Sequence, residues 1–173
     1  MFSLVSDVFE PQTWLESRVY DLLELHDIKQ PEEIHLTELC AAYGIELWNI
    51  TGRSRAHPHP YLPNRYVIAV DERLPLPSRR EKIAHELGHL LLHEGIQPTG
   101  STSMIHWQEA QANHFAEHLL MPFPMFVPLL ENCNRYEAPF LLARIFRVPL
   151  ALAQKRFDRL LGRLYAKGHP INW

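Results

Sequence analysis

The chain has 173 residues, 46% of them apolar and 21% charged, with a formal net charge of -3, which is enough for a domain with its own core and too apolar for a disordered chain. Two cysteines, Cys40 and Cys133, exclude a disulfide framework, lack zinc-knuckle spacing and read as buried thiols of a reducing compartment. Residues 119–130 are uncharged, but Pro122, Pro124 and Pro128 interrupt a run too short to span a bilayer, and the first ten residues lack the basic leader and apolar core of a signal peptide, so a cytoplasmic protein without membrane segments is expected.

Charge is unevenly spread. Residues 1–70 carry 5 basic and 10 acidic side chains, and residues 123–173 carry 8 basic and 3 acidic, so the C-terminal third is basic. Pro11 suits a first helical turn, and Leu15, Val19, Leu22 and Leu23 follow at helical spacing, which predicts a helix ending near His26 and Asp27. A short helix over residues 37–43 stops at Gly44. Residues 45–50 (I-E-L-W-N-I) and 66–70 (Y-V-I-A-V) read as strands, the second stronger for its β-branched Val67, Ile68 and Val70. Between them Pro58 and Pro60 forbid helix.

Residues 83–93, I-A-H-E-L-G-H-L-L-L-H, contain the motif H-E-x-x-H. His85 and His89 stand one turn apart on a helix, so both imidazoles can close on one cation while Glu86 reaches toward its remaining coordination position. With 11 histidines in the chain, chance alone would supply such a motif roughly six times in a hundred, so context decides. Ser78 and Glu81 form an S-x-x-E capping box upstream, and Gly95 can end the helix after about four turns. Ile83, Ala84, Leu87, Leu90, Leu91 and Leu92 cover much of its circumference, predicting a largely buried helix whose histidines need partners.

A second helix over residues 105–121 carries Glu109, Ala112, Asn113, Ala116 and Leu120 as one stripe. A carboxylate at the polar end of a small, apolar stripe is costly to bury unless paired or bound to metal, which makes Glu109 the third ligand. Zinc held by two neutral imidazoles and one carboxylate keeps a position open for water, with Glu86 as catalytic base. Asn113, one turn after Glu109, is placed to hold the free N–H of a ligand histidine. His93 lies about 12 Å from His85 along the axis, too far to share the ion, and reads as a residue supporting the ligands or closing the helix C-terminus. Candidates for stabilising an oxyanion are His106, His114, His118, His57, His59, Tyr61 and Tyr66, which sequence does not rank.

Past Pro122 come a short helix near residues 126–131, a helix over 136–146, and a last helix from Pro149, striped by Ala153, Phe157, Leu160, Leu161 and Leu164 and ended by Gly168. The last two helices are spaced like a DNA-reading helix-turn-helix and carry Arg144, Arg147, Lys155, Arg156, Arg159, Arg163 and Lys167. Basic faces on terminal helices are more often solvated surface, so DNA binding is the minor reading.

The two motifs, H-E-L-G-H-L-L-L-H and E-A-Q-A-N-H-F-A-E-H-L-L-M-P, together resemble the ImmA/IrrE family of zinc metallopeptidases, over about residues 36–164. The resemblance implies a thermolysin-like site with His85, His89 and Glu109 on zinc and Glu86 as base, a histidine at His93, and a further strand near residues 53–61. It also implies a repressor of a phage or mobile element as substrate. Gln111 stands where many members have a second acid. Together these readings give an α+β fold, a small antiparallel sheet flanked by helices that include the two metal helices, organised as one metallopeptidase domain over residues 1–173. Residues 1–30 and 123–173 would be helical additions packed on it. The rival is a metal-binding regulatory or DNA-associated module with little proteolysis of its own.

Overall fold

The computed structural model describes residues 10–93, 101–131 and 133–168. These form two compact units, one of residues 34–116 and one that joins the described residues up to 33 with those from 117 onward. The fold is α+β. Among the described residues no helix is long and apolar enough to cross a membrane.

The unit of residues 34–116 opens with α1 (Leu36–Ala42), which ends at Tyr43 as Gly44 takes φ +68°, a left-handed conformation that glycine adopts without a Cβ clash. Three strands follow, β1 (Ile45–Ile50), β2 (Arg55–Pro58) and β3 (Tyr66–Asp71). Their order is β1-β3-β2. β3 pairs parallel to β1, with Ile45 opposite Tyr66, and antiparallel to β2, with Ala56 opposite Ile68. The sheet is therefore mixed, not antiparallel throughout as expected. The cause is β2, which only the family resemblance suggested: it reverses the chain once between β1 and β3, so β3 runs back in the direction of β1. A central position also explains the unbroken apolar run of Val67, Ile68, Ala69 and Val70, all buried, because both faces of that strand are covered.

Helix α2 (Leu76–Leu92) carries the H-E-x-x-H motif. It does not start with the Ser78 capping box. Pro75 holds the N-cap position without a side-chain bond and Pro77 lies in the first turn, where a missing N–H costs nothing, so Ser78 is already inside the helix. Burial is confined to Ile83, Ala84, Leu87 and Gly88, while Leu90, Leu91 and Leu92 are half-exposed, a narrower apolar stripe than the leucine count implies. The helix closes at His93, whose N–H bonds to the His89 carbonyl 3.1 Å away; Gly95, the expected terminator, lies outside the described residues. Helix α3 (Thr102–Leu120) follows.

In the other unit, α4 (Trp14–Leu25) is capped by Thr13, whose Oγ1 accepts from the Glu16 N–H at 3.1 Å. Glu16 in turn accepts from the Gln12 N–H at 3.0 Å, a reciprocal arrangement close to a capping box. The helix thus starts after Pro11 rather than on it, and T-W-L-E was the overlooked signal. One α-turn (Phe123–Phe126) and a 3-10 turn (Val127–Leu130) lead to α5 (Ala138–Phe146) and α6 (Leu150–Ala166). Arg147 ends α5 in the left-handed region at φ 52°, and Pro149 caps α6.

Charge in this unit is buried in pairs. Glu16 is fully buried and receives Arg163 through Nη1 at 3.1 Å and Nη2 at 2.7 Å. Arg156, also fully buried, donates from Nε and Nη2 to the Met121 carbonyl at 3.0 and 2.8 Å and lies 4.0 Å from the Phe123 ring centroid. Lys155 and Arg159 both pair with Glu117. Four of the seven cations counted toward a DNA-reading face are therefore committed to internal partners, which a sequence count does not reveal.

Candidate metal centre

One glycine sets the spacing of the metal helices. A Cβ added to Gly88 of α2 would lie 3.0 Å from Phe115 Cδ1 and 3.2 Å from Phe115 Cβ, on α3, so only glycine permits this approach without displacement. Interior helical glycine costs about 1 kcal/mol relative to alanine; here it lets the His85 and His89 turn face the Glu109 turn. The sequence placed Gly88 in view, inside the motif, but its role depends on Phe115 opposite.

His85, His89 and Glu109 converge, each offering one ligand atom within 4.8 Å of the others. His85 Nε2 is 3.1 Å from His89 Nε2. The carboxylate of Glu109 lies 3.4 Å from His85 Nε2 through Oε2 and 3.2 Å from His89 Nε2 through Oε1. Ligands about 2.0–2.1 Å from a tetrahedral zinc stand roughly 3.3 Å from one another. The donor set and its spacing fit a divalent metal ion.

Burial does not explain Glu109 as expected. Its side chain is 51% exposed, so no desolvation cost forces a partner on it; the buried members of its stripe are Ala112, Ala116 and Leu120. What orients it is proximity to the imidazoles at the cleft mouth.

Asn113 Oδ1 lies 2.9 Å from His85 Nδ1. With the amide oxygen accepting from Nδ1–H, Nε2 keeps its lone pair toward the cluster, the tautomer a metal ligand needs. Burial lowers the His89 pKa below its ordinary value of 6.5, and neighbouring His85 adds to this against the opposing pull of Glu109. Both effects favour the neutral imidazole over the charged one.

Glu86 faces the sheet. Its Oε2 accepts from the Ala56 N–H at 2.9 Å, tying the carboxylate to edge strand β2. Burial pushes its pKa above the ordinary 4.5, and this outweighs the Ala56 bond and the attraction of His85 and Lys82. A raised carboxyl pKa suits a group that must take up and release a proton.

His93 packs its ring against His89 at 5.6 Å and Trp107 at 6.0 Å between centroids, and its buried Nε2 has no hydrogen-bond partner among the described residues. None of the residues proposed for an oxyanion lines the cleft. His57 and His59 set their rings against Trp48, at 6.2 and 5.6 Å, with Tyr61 beside His59. His106 and His114 are exposed on α3, and His118 sits 3.8 Å from Glu16 in the other unit. The cleft, about 750 Å³ and lined entirely from the unit of residues 34–116, instead brings Arg55, Lys82 and Gln108 near the cluster. Sequence reasoning missed these three because nothing in their local pattern marks them.

Comparison with known proteins agrees with this geometry. The chain is 28% identical over 151 residues to the uncharacterized protein YqaB of Bacillus subtilis, covering 83% of this chain and 82% of that one. It is 31% identical over 93 residues to the phage-like element PBSX protein XkdA of the same organism, covering 54% of this chain and 47% of that one. Residues 42–158 match the model of a peptidase family described as the IrrE N-terminal-like domain. That match spans both metal helices and the whole sheet, and the chain belongs to the IrrE N-terminal-like peptidase family.

Proposed function

We propose that this chain is a zinc-dependent endopeptidase that cleaves a regulatory protein, a transcriptional repressor of a phage or mobile element, in the cytoplasm. The observation that carries the reading is the close triangle of His85, His89 and Glu109 with Glu86 beside it. Relation to a protein named for a phage-like element supports the setting.

Zinc at this site would supply Lewis-acid polarisation of a peptide carbonyl and lower the pKa of water. The protein's own residues do the rest. Asn113 holds His85 in the ligand tautomer. The Ala56 amide holds Glu86 Oε2, fixing the carboxylate as it takes a proton from the attacking water and delivers it to the departing amine. Lys155, Arg159 and Arg163 of α6 are held by carboxylates of their own unit, which weighs against the DNA-associated reading.

Glu86→Ala should retain its zinc and lose about 10²- to 10⁴-fold in hydrolysis of a purified repressor that the wild-type protein cleaves. Metal content by emission spectroscopy and cleavage by mass spectrometry check this together. Cleavage at the wild-type rate by a fully loaded variant would refute the role of Glu86. A wild-type protein that binds zinc and the repressor without cutting it would instead identify a metal-binding regulatory module.

A further inference from the structure

The two ends of the cleft differ in charge. Ser54 Oγ accepts from the Asp71 N–H at 3.0 Å, which pins the segment leading into β2 to the end of β3, next to the start of α2. At this end Arg53, Arg55 and Lys82 line the cleft. All three are exposed, and among the described residues none forms a salt bridge. Lys82 is one turn before Glu86 on the same helical face. Asp71, which lines the same end, is already taken by Arg73 through Nε at 2.9 Å and Nη2 at 2.7 Å, and the Glu86 carboxylate, one turn from Lys82, is held by the Ala56 amide. The opposite end, at the close of α2, is lined by His93, Ile105 and Gln108, with no lysine or arginine there among the described residues.

We propose that the cleft selects extended peptides with acidic side chains on one side of the scissile bond, the side that lies toward Arg53, Arg55 and Lys82. This deepens the peptidase reading and rests on it. Long flexible cations left unpaired beside a reacting centre favour a ligand of opposite charge, and exposed pairs of this kind govern encounter and choice more than raw affinity. Among the described residues an acidic segment meets three of them at one end and none at the other, so its placement also sets the direction in which the peptide lies. Nucleic acid offers the same charge, but a cleft lined by the edge strand β2 suits an extended peptide backbone.

The test uses the full-length Glu86→Ala protein and fluorescein-labelled decapeptides of identical core, bearing three Glu, three Gln or three Lys on one flank. Anisotropy titrations at about 50 and 300 mM salt should give roughly ten-fold tighter binding for the Glu peptide at low salt, largely lost at high salt. The exposed double reversal Arg55→Glu with Lys82→Glu should move the preference to the Lys peptide, circular dichroism confirming an unchanged fold. Equal binding of the Glu and Gln peptides, a preference that survives the reversal, or tighter binding of a single-stranded oligonucleotide lost in that variant, would overturn the proposal. Acid-selective binding without cleavage by wild type would sink the peptidase reading and leave this one standing.

Discussion

The two units use charge in opposite ways. In the terminal unit Glu16, Arg156, Arg163 and Glu117 are buried or nearly so, and every one is matched to an opposite charge, a carbonyl or an aromatic face. In the unit of residues 34–116, Arg53, Arg55 and Lys82 stay exposed, and Glu109 stands half-exposed against two imidazoles. Matching offsets the desolvation penalty and fixes a packing arrangement. Leaving charges unmatched gives up that gain and keeps them available to something else. The contrast separates residues that hold the fold from residues available to a ligand.

Removing one half of a buried pair tests the contrast most severely. Glu16→Ala should strand Arg163 and destabilise the protein by about 3–5 kcal/mol in urea unfolding, whereas Arg53→Ala should change little. The same carboxylate gives stability a pH signature. Burial raises the Glu16 pKa, but Arg163, the Gln12 amide and Tyr20 together hold it below the ordinary 4.5. Its contribution is therefore complete above that value and is lost as pH falls through the lowered native pKa. Glu16→Gln should flatten the acid limb of the stability curve; a limb as steep as wild type would assign it to other groups.

Next in size is the bond between His85 and Asn113. Asn113→Ala should weaken zinc about 10- to 100-fold in competition with a chelating dye, without lowering stability of the metal-free protein. An unchanged affinity would mean that the imidazole needs no outside support. The smallest effect is expected at Gly88. Overpacking against Phe115 costs about 1–3 kcal/mol and the gain in helix propensity returns about 1, so Gly88→Ala should lose roughly 1 kcal/mol in thermal unfolding. Phe115→Leu in the same chain should restore most of it.

What the sequence made legible was local. The helix over 76–92, the strands at 45–50 and 66–71 and the ends at Gly44 and Gly168 follow from spacing and from positions that need left-handed backbone. His85 and His89 were legible because they stand one helical turn apart; Glu109 was reached through a burial argument that its exposure does not support and through the family resemblance, and the structure brings all three together. Strand direction was not, because R-A-H-P is short and proline-bearing and reads as loop until β3 pairs with it. Nor were Ala56 and Gly88, whose parts depend on Glu86 and Phe115 arriving from elsewhere. Buried Arg156 and Arg163 misled in the other direction, since composition counts a cation without knowing whether it is already held.

Strand β2 ends the sheet on one side, and its backbone alternates between facing β3 and facing out. Ala56 faces out, and its N–H is given to Glu86; Pro58, two residues on, has no N–H to give. That margin of the sheet thus offers no free amide at Ala56 or Pro58, and the Pro58 carbonyl already lies 2.8 Å from His57 Nδ1, so another copy's strand finds no complementary ladder there. A margin with no amide to give guards against edge-to-edge fibre growth.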